Sequence, residues 1–180
     1  TLFERQLTAL LPMLKENANS DSSTPRPPEY LRRMAEENAG GFHSQLSYGT
    51  FLLNDGRSDE AVPYLEAAKR LFPEYAEIDS PYWHLAMIAK ENGDIHRATE
   101  ELSDLTAINQ NNYLANTELS ALHEELGNLA AAAEALDRAI YIYPFEIPTH
   151  QKLADLYENM ENHPLAIRER KAVISLTPVD

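Results

Sequence analysis

Residues able to do chemistry are present in this chain, but they are scattered. The six histidines, His43, His84, His96, His123, His150 and His163, are never closer than twelve residues apart, whereas a metal site on a helix wants two at a spacing of three or four. The run His123-Glu124-Glu125-Leu126-Gly127 begins like the zinc-protease motif, yet Gly127 stands where the second histidine belongs. With no cysteine, thiolate ligands, disulfides and a thiol nucleophile are all excluded. There is no Gly-x-Ser-x-Gly elbow and no phosphate-cradling glycine loop. Adjacent acids such as Glu100-Glu101 and Glu124-Glu125 would point about 100° apart on a helix, so they read as solvated faces rather than the acid and base of a glycosidase. The sequence therefore predicts no catalytic residue, no metal and no cofactor, and the chain reads as a non-enzyme.

The elements that would have to position any site are repeated. Ser120 and Ala154, Ala132 and Ala166, Ala139 and Val173, and Pro144 and Pro178 are each 34 residues apart. At the same step backwards, Ala86, Gly93 and Ala98 fall over Ser120, Gly127 and Ala132. Gly49, Gly56, Ala61, Ala68 and Pro73 carry the pattern once more 37 residues upstream, with the extra residues between Glu74 and Ile78. Four units follow, at about 42–78, 79–112, 113–146 and 147–180. Each has a small residue in a first helix, a turn, a small residue early in a second helix and often a closing proline. Small side chains let two antiparallel helices approach closely, and Gly56, Gly93 and Gly127 suit a left-handed turn.

These residues resemble the tetratricopeptide repeat in register over about three quarters of the chain. The resemblance implies an all-α, right-handed α-solenoid of about four helical hairpins behind an N-terminal helical segment (1–41). Three departures stand out. Trp83 lies one position after the place the motif favours for tryptophan, Gln110 replaces the closing proline, and Arg170 occupies a site where Leu65, Leu102 and Leu136 are apolar. The last puts the packing of the final helix in question.

Ahead of the repeats, Phe3, Leu7, Leu10, Leu11 and Leu14 share one face of an expected amphipathic helix over 2–17. A polar, proline-containing linker is expected near 17–28. A short helix over 29–38, with Tyr30, Leu31, Met34 and Ala35 on one side, is expected to pack as a cap. Ser80 before Pro81, His163 before Pro164, and Asn111 or Asn112 read as helix N-caps. Pro63 is expected within the first turn of its helix. The chain begins at Thr1 without a leader, and reads as a piece of a longer protein.

Twenty-nine acidic against fifteen basic residues give a formal charge of −14, which opposes nucleic acid and anionic membrane surfaces. No apolar run approaches the roughly 20 residues of a membrane span. The absence of cysteine fits cytoplasm and periplasm equally.

In tetratricopeptide arrays the first helices line a concave groove, and the resemblance projects His43, Leu46 and Thr50 from the first unit into it. Trp83, His84 and Met87 follow from the second, then Glu118, Glu125 and Asp155. The first part is apolar and the second acidic, so the implied partner is a protein or peptide, of basic character. Trp83 either anchors that partner or packs internally on Leu46. The basic clamp with which some relatives hold carboxylate tails is absent, since Glu118 stands where a cation would be needed. Two other readings accompany this one. The stretch 139–145 with 168–173 resembles repeat regions of bacterial proteins carrying a zinc-peptidase-like module upstream, which would make the chain a non-catalytic tail. Alternatively, apolar edges at Phe3, Leu7 and Leu14 and at Ile174, Leu176 and Val179 would pair two copies as a homodimer.

Overall fold

A computed structural model describes residues 27–178. The helix expected over 2–17, nearly all of the linker and Val179 lie outside them. Helix α1 (Pro28–Glu37) is followed by four hairpins. These are α2 (Phe42–Asn54) with α3 (Ser58–Leu71), α4 (Pro81–Glu91) with α5 (Ile95–Ile108), α6 (Tyr113–Glu125) with α7 (Leu129–Ile142), and α8 (Ile147–Asn159) with α9 (His163–Leu176). The extensive packing joins helices consecutive in sequence, as a stack of hairpins requires.

The small residues of the repeat are the points of closest approach. Ala61, Ala68, Ala86, Ala98, Ala132, Ala139 and Ala154 are all fully buried. At Gly49 a methyl group would stand 2.9 Å from Leu65 Cδ2, so the first hairpin is packed more tightly than the others, which carry alanine or serine there. Between these contacts Leu65, Leu102 and Leu136 are buried to 1% exposure or less; truncating such a leucine to alanine removes about 2–5 kcal/mol. Arg170, at the equivalent place in α9, turns outward instead. Its guanidinium pairs with Asp155 at 3.0 Å and Glu158 at 2.8 Å on α8. The closing helix thus keeps its inner contact through buried Ala166 while Ile167 and Ile174 stay exposed.

Gly56, Gly93 and Gly127 adopt φ of 75°, 77° and 74°, the left-handed conformation expected at these turns. The fourth turn has no glycine, yet Glu161 takes the same conformation, with φ 58°. The caps divide. Asn112 Oδ1 accepts from the Ala115 amide at 3.0 Å, and Asp94 Oδ1 accepts from Arg97 N at 3.1 Å. Ser80 precedes α4, but its hydroxyl donates back to the Tyr75 carbonyl rather than capping the helix. His163 is not a cap: it is the first helical residue, and Asn162 Oδ1 accepts from Leu165 N. Pro63 is also displaced from its expected place. Helix α3 starts at Ser58, so the proline lies in the second turn and forgoes an interior hydrogen bond, which its exposed position leaves to water.

A buried polar residue near the start of each first helix ties that helix to the chain before it. Gln45 Nε2 donates to the Ala35 carbonyl at 2.8 Å, Tyr82 Oη to Pro73 at 2.9 Å and Asn116 Nδ2 to Gln110 at 3.0 Å. His150 Nε2 lies 3.0 Å from the Pro144 carbonyl, which can only accept. The motif's proline and its substitute Gln110 therefore contribute the same group, a backbone carbonyl. Helix α1 provides the equivalent carbonyl for the first hairpin. It also places Ala35 and Leu31 in one cluster with Leu46 and Leu52, and so acts as the cap anticipated from its apolar side.

Candidate protein-binding surface

Of the first helices α2, α4, α6 and α8, the last three are joined in series by ion pairs. Lys90 Nζ on α4 lies 2.7 Å from Glu118 Oε2 on α6, and Lys152 Nζ on α8 lies 3.4 Å from Glu124 Oε2 on α6. Both pairs span 28 residues, with the signs reversed. Such half-exposed pairs contribute at most about 1 kcal/mol each, but they decide which charges remain for a partner. Glu118 and Asp155 are both engaged, by Lys90 and Arg170. Glu125 and its counterpart one unit earlier, Glu91, are exposed and hold no ion pair among the described residues.

The apolar half is smaller than its sequence suggests. Leu46 is 4% exposed and belongs to the core, because α1 supplies the cover that a preceding hairpin would. Thr50 is half-buried, while His43 is exposed with its ring edge-on to Phe42 at 5.0 Å. Trp83 and Met87 are half-buried one turn apart on α4, packed against the cluster that holds Tyr82, Ala86 and Leu119. Tyr82, not Trp83, fills the inward site at which the motif favours tryptophan. The indole is thereby left on the rim of the core, with part of its surface open.

His84 is half-buried, and its Nε2 is buried without a hydrogen-bond partner among the described residues. Burial pushes this imidazole below its ordinary pKa, with Asp79 opposing. His123 is half-buried, and its Nδ1 has no partner among the described residues; burial and then Arg138 lower its pKa. A cleft of about 310 Å³ beside His123 is lined also by Ser103, Thr106, Glu134 and Arg138. Its hydroxyls donate to backbone carbonyls and Arg138 Nε to Asn116 Oδ1, so these donors are already engaged within the fold. Among the described residues no three acidic or histidine side chains are placed to hold a metal.

Sequence reasoning passed over the charge partners of the second helices. Lys69 Nζ reaches Glu101 Oε2 at 2.8 Å, with Glu101 buried and its pKa raised by that burial against the opposing lysine. His150 Nδ1 faces Glu169 Oε2 at 2.6 Å in a second buried pair. The available signal was the alignment of His150 under Asn116 and Tyr82 at the repeat spacing.

The stacked hairpins, with their left-handed turns and small inner residues, form a helical solenoid similar to those of tetratricopeptide repeats, and the tetratricopeptide repeat family profile matches residues 85–147. Among solved structures the chain is similar to a crystal structure of MamA, with 19% identity, 83% of this chain and 85% of that one covered, and a TM-score of 0.69. It is similar also to MamA AMB-1 (20%, 83% and 80%, TM-score 0.70) and to MamA 41-end from Desulfovibrio magneticus RS-1 (20%, 83% and 82%, TM-score 0.65). At such identity the likeness concerns the fold. No curated protein matches the sequence. A zinc-peptidase-like module finds no support in these matches.

Proposed function

We propose that this chain is a non-catalytic protein-interaction module which holds a peptide or protein segment on the concave face of α2, α4, α6 and α8. The observation that carries the reading is the pairing of Trp83 with Met87. Both are rooted in the core yet open on one side, and both are residue types suited to anchoring a partner. His43 and Thr50 flank them on α2, and Glu91 and Glu125 offer uncompensated charge on α4 and α6. Of the groove acids expected from the sequence, Glu118 and Asp155 act first as internal struts, so the charge available to a partner sits on the other two. The chain's surplus of fourteen negative charges supports a basic partner.

A peptide-display selection against the intact chain tests this. Enriched peptides should carry a large apolar residue beside lysine or arginine, bind less tightly as salt rises, and be lost on a Trp83→Ala, Met87→Ala variant of unchanged helicity and melting. Peptides retained equally by that variant would place binding elsewhere.

A further inference from the structure

The two long edges of the solenoid differ in kind. Along the edge formed by the turns within hairpins, at 54–58, 91–95, 125–129 and 159–163, no large apolar side chain is exposed. The opposite edge, where each hairpin passes to the next, exposes Phe72 and Ile78 at the first connection, Ile108 and Leu114 at the second, and Tyr143 and Phe145 at the third. Ile78 is 84% exposed and Phe145 78%, each in a short turn between helices.

Contacts link the three connections along this edge. Asn109 Nδ2 donates to the Ala76 carbonyl at 3.2 Å, tying the second connection to the first. The Tyr113 ring meets the Tyr143 ring edge-on at 5.0 Å, tying the second to the third. The extra residues of the first unit, at 74–78, lie along this edge and include the exposed Ile78. A run of this kind across three successive units is more than the single exposed apolar residues that every surface carries.

Charge selects the occupant. The connections 72–80, 109–112 and 143–146 contain Glu74, Glu77, Asp79 and Glu146 and no lysine or arginine. A second copy of this acidic chain would bring like charge to this edge, and an anionic membrane would do the same. We infer that the connection edge is a second docking surface, separate from the concave face, for a partner segment whose apolar side chains are flanked by lysine or arginine. Apolar contact with Ile78 and the aromatic rings supplies the affinity, and the flanking acids set orientation and association rate.

The test uses a labelled amphipathic peptide of leucine and lysine, a leucine and glutamate counterpart, and fluorescence anisotropy with the full chain. The lysine peptide should bind and the glutamate peptide should not. Because the concave face proposed above would take the same peptide chemistry, binding is read on the Trp83→Ala, Met87→Ala background; adding Ile78→Ser and Phe145→Ser, which alters only exposed side chains, should leave melting unchanged while weakening binding at least about tenfold. Equal binding with and without the edge substitutions would overturn the inference, as would absence of binding to the groove variant that still carries Ile78 and Phe145, or equal binding of the glutamate peptide. Dimerisation in sedimentation that is abolished by the edge substitutions would name a second copy as occupant instead, and binding to anionic vesicles abolished by them would name a membrane.

Discussion

Replacing Glu161 by glycine should stabilise the fourth hairpin, and replacing Gly127 by alanine should destabilise the third. Both residues occupy the same turn of the repeat, at φ 58° and 74°. The left-handed conformation costs a residue with a Cβ about 1–2 kcal/mol, which Glu161 bears and Gly127 does not. Nothing lies within 4 Å of a methyl group built at Gly127, so the alanine penalty is backbone strain without a clash. Glu161 is exposed and engaged in no ion pair among the described residues, so its removal forfeits no charge pairing there. Against the strain stands the unfolded chain, since glycine loses about 0.4–1 kcal/mol more conformational freedom on folding. The balance is a gain of about 0.5–1 kcal/mol for Glu161→Gly and a similar loss for Gly127→Ala. In a chain of this size that corresponds to roughly 1–4 °C in melting temperature. Urea and thermal unfolding followed by circular dichroism would read it, with Glu161→Asn falling between because asparagine tolerates the left-handed region. A less stable Glu161→Gly, or an unchanged Gly127→Ala, would refute the claim that the turn geometry selects the residue.

Three further outcomes are expected. The imidazoles of His84 and His123 are held below their ordinary pKa by burial, so the unfolded chain takes up protons first. Stability contributed by the neutral rings is therefore complete above the unfolded value near 6.5 and falls as pH drops below it. A His84→Leu, His123→Leu variant should lose less stability than the parent between neutral and mildly acidic pH in parallel urea titrations. Gly49→Ala should cost about 1–3 kcal/mol by overpacking against Leu65, and an unchanged urea midpoint would show that the leucine moves aside freely. Lys90→Glu should destabilise by no more than about 1 kcal/mol, and Lys90→Glu with Glu118→Lys should recover most of it at low salt, as a double-mutant cycle would show.

The fold was legible because its signals are local and repeated: alanines at a fixed step, glycine at three turns, proline at three hairpin ends. The groove was legible only in part, because a residue type does not say what covers it. Leu46 has the register of a groove residue, yet α1 buries it through Leu31 and Ala35. Glu118 and Asp155 read as free charge until the neighbouring helices bring Lys90 and Arg170 within reach. Glu161 hid its backbone conformation because nothing about a glutamate announces a positive φ. Arg170 shows the converse case: a polar residue at an apolar site left its helix intact, because the aliphatic stem can carry the charge outward to partners on α8.

The reversed signs of the two struts between first helices bear on how such an array can change length. Joining the second hairpin directly to the fourth would set Lys90 opposite Lys152, and copying the third and fourth as a block would set Glu158 opposite Glu118. Either recombination meets like charges at the new seam, whereas the present order meets opposite charges at both. The hairpins are alike in shape but are not interchangeable, and their sequence of assembly is written in four side chains.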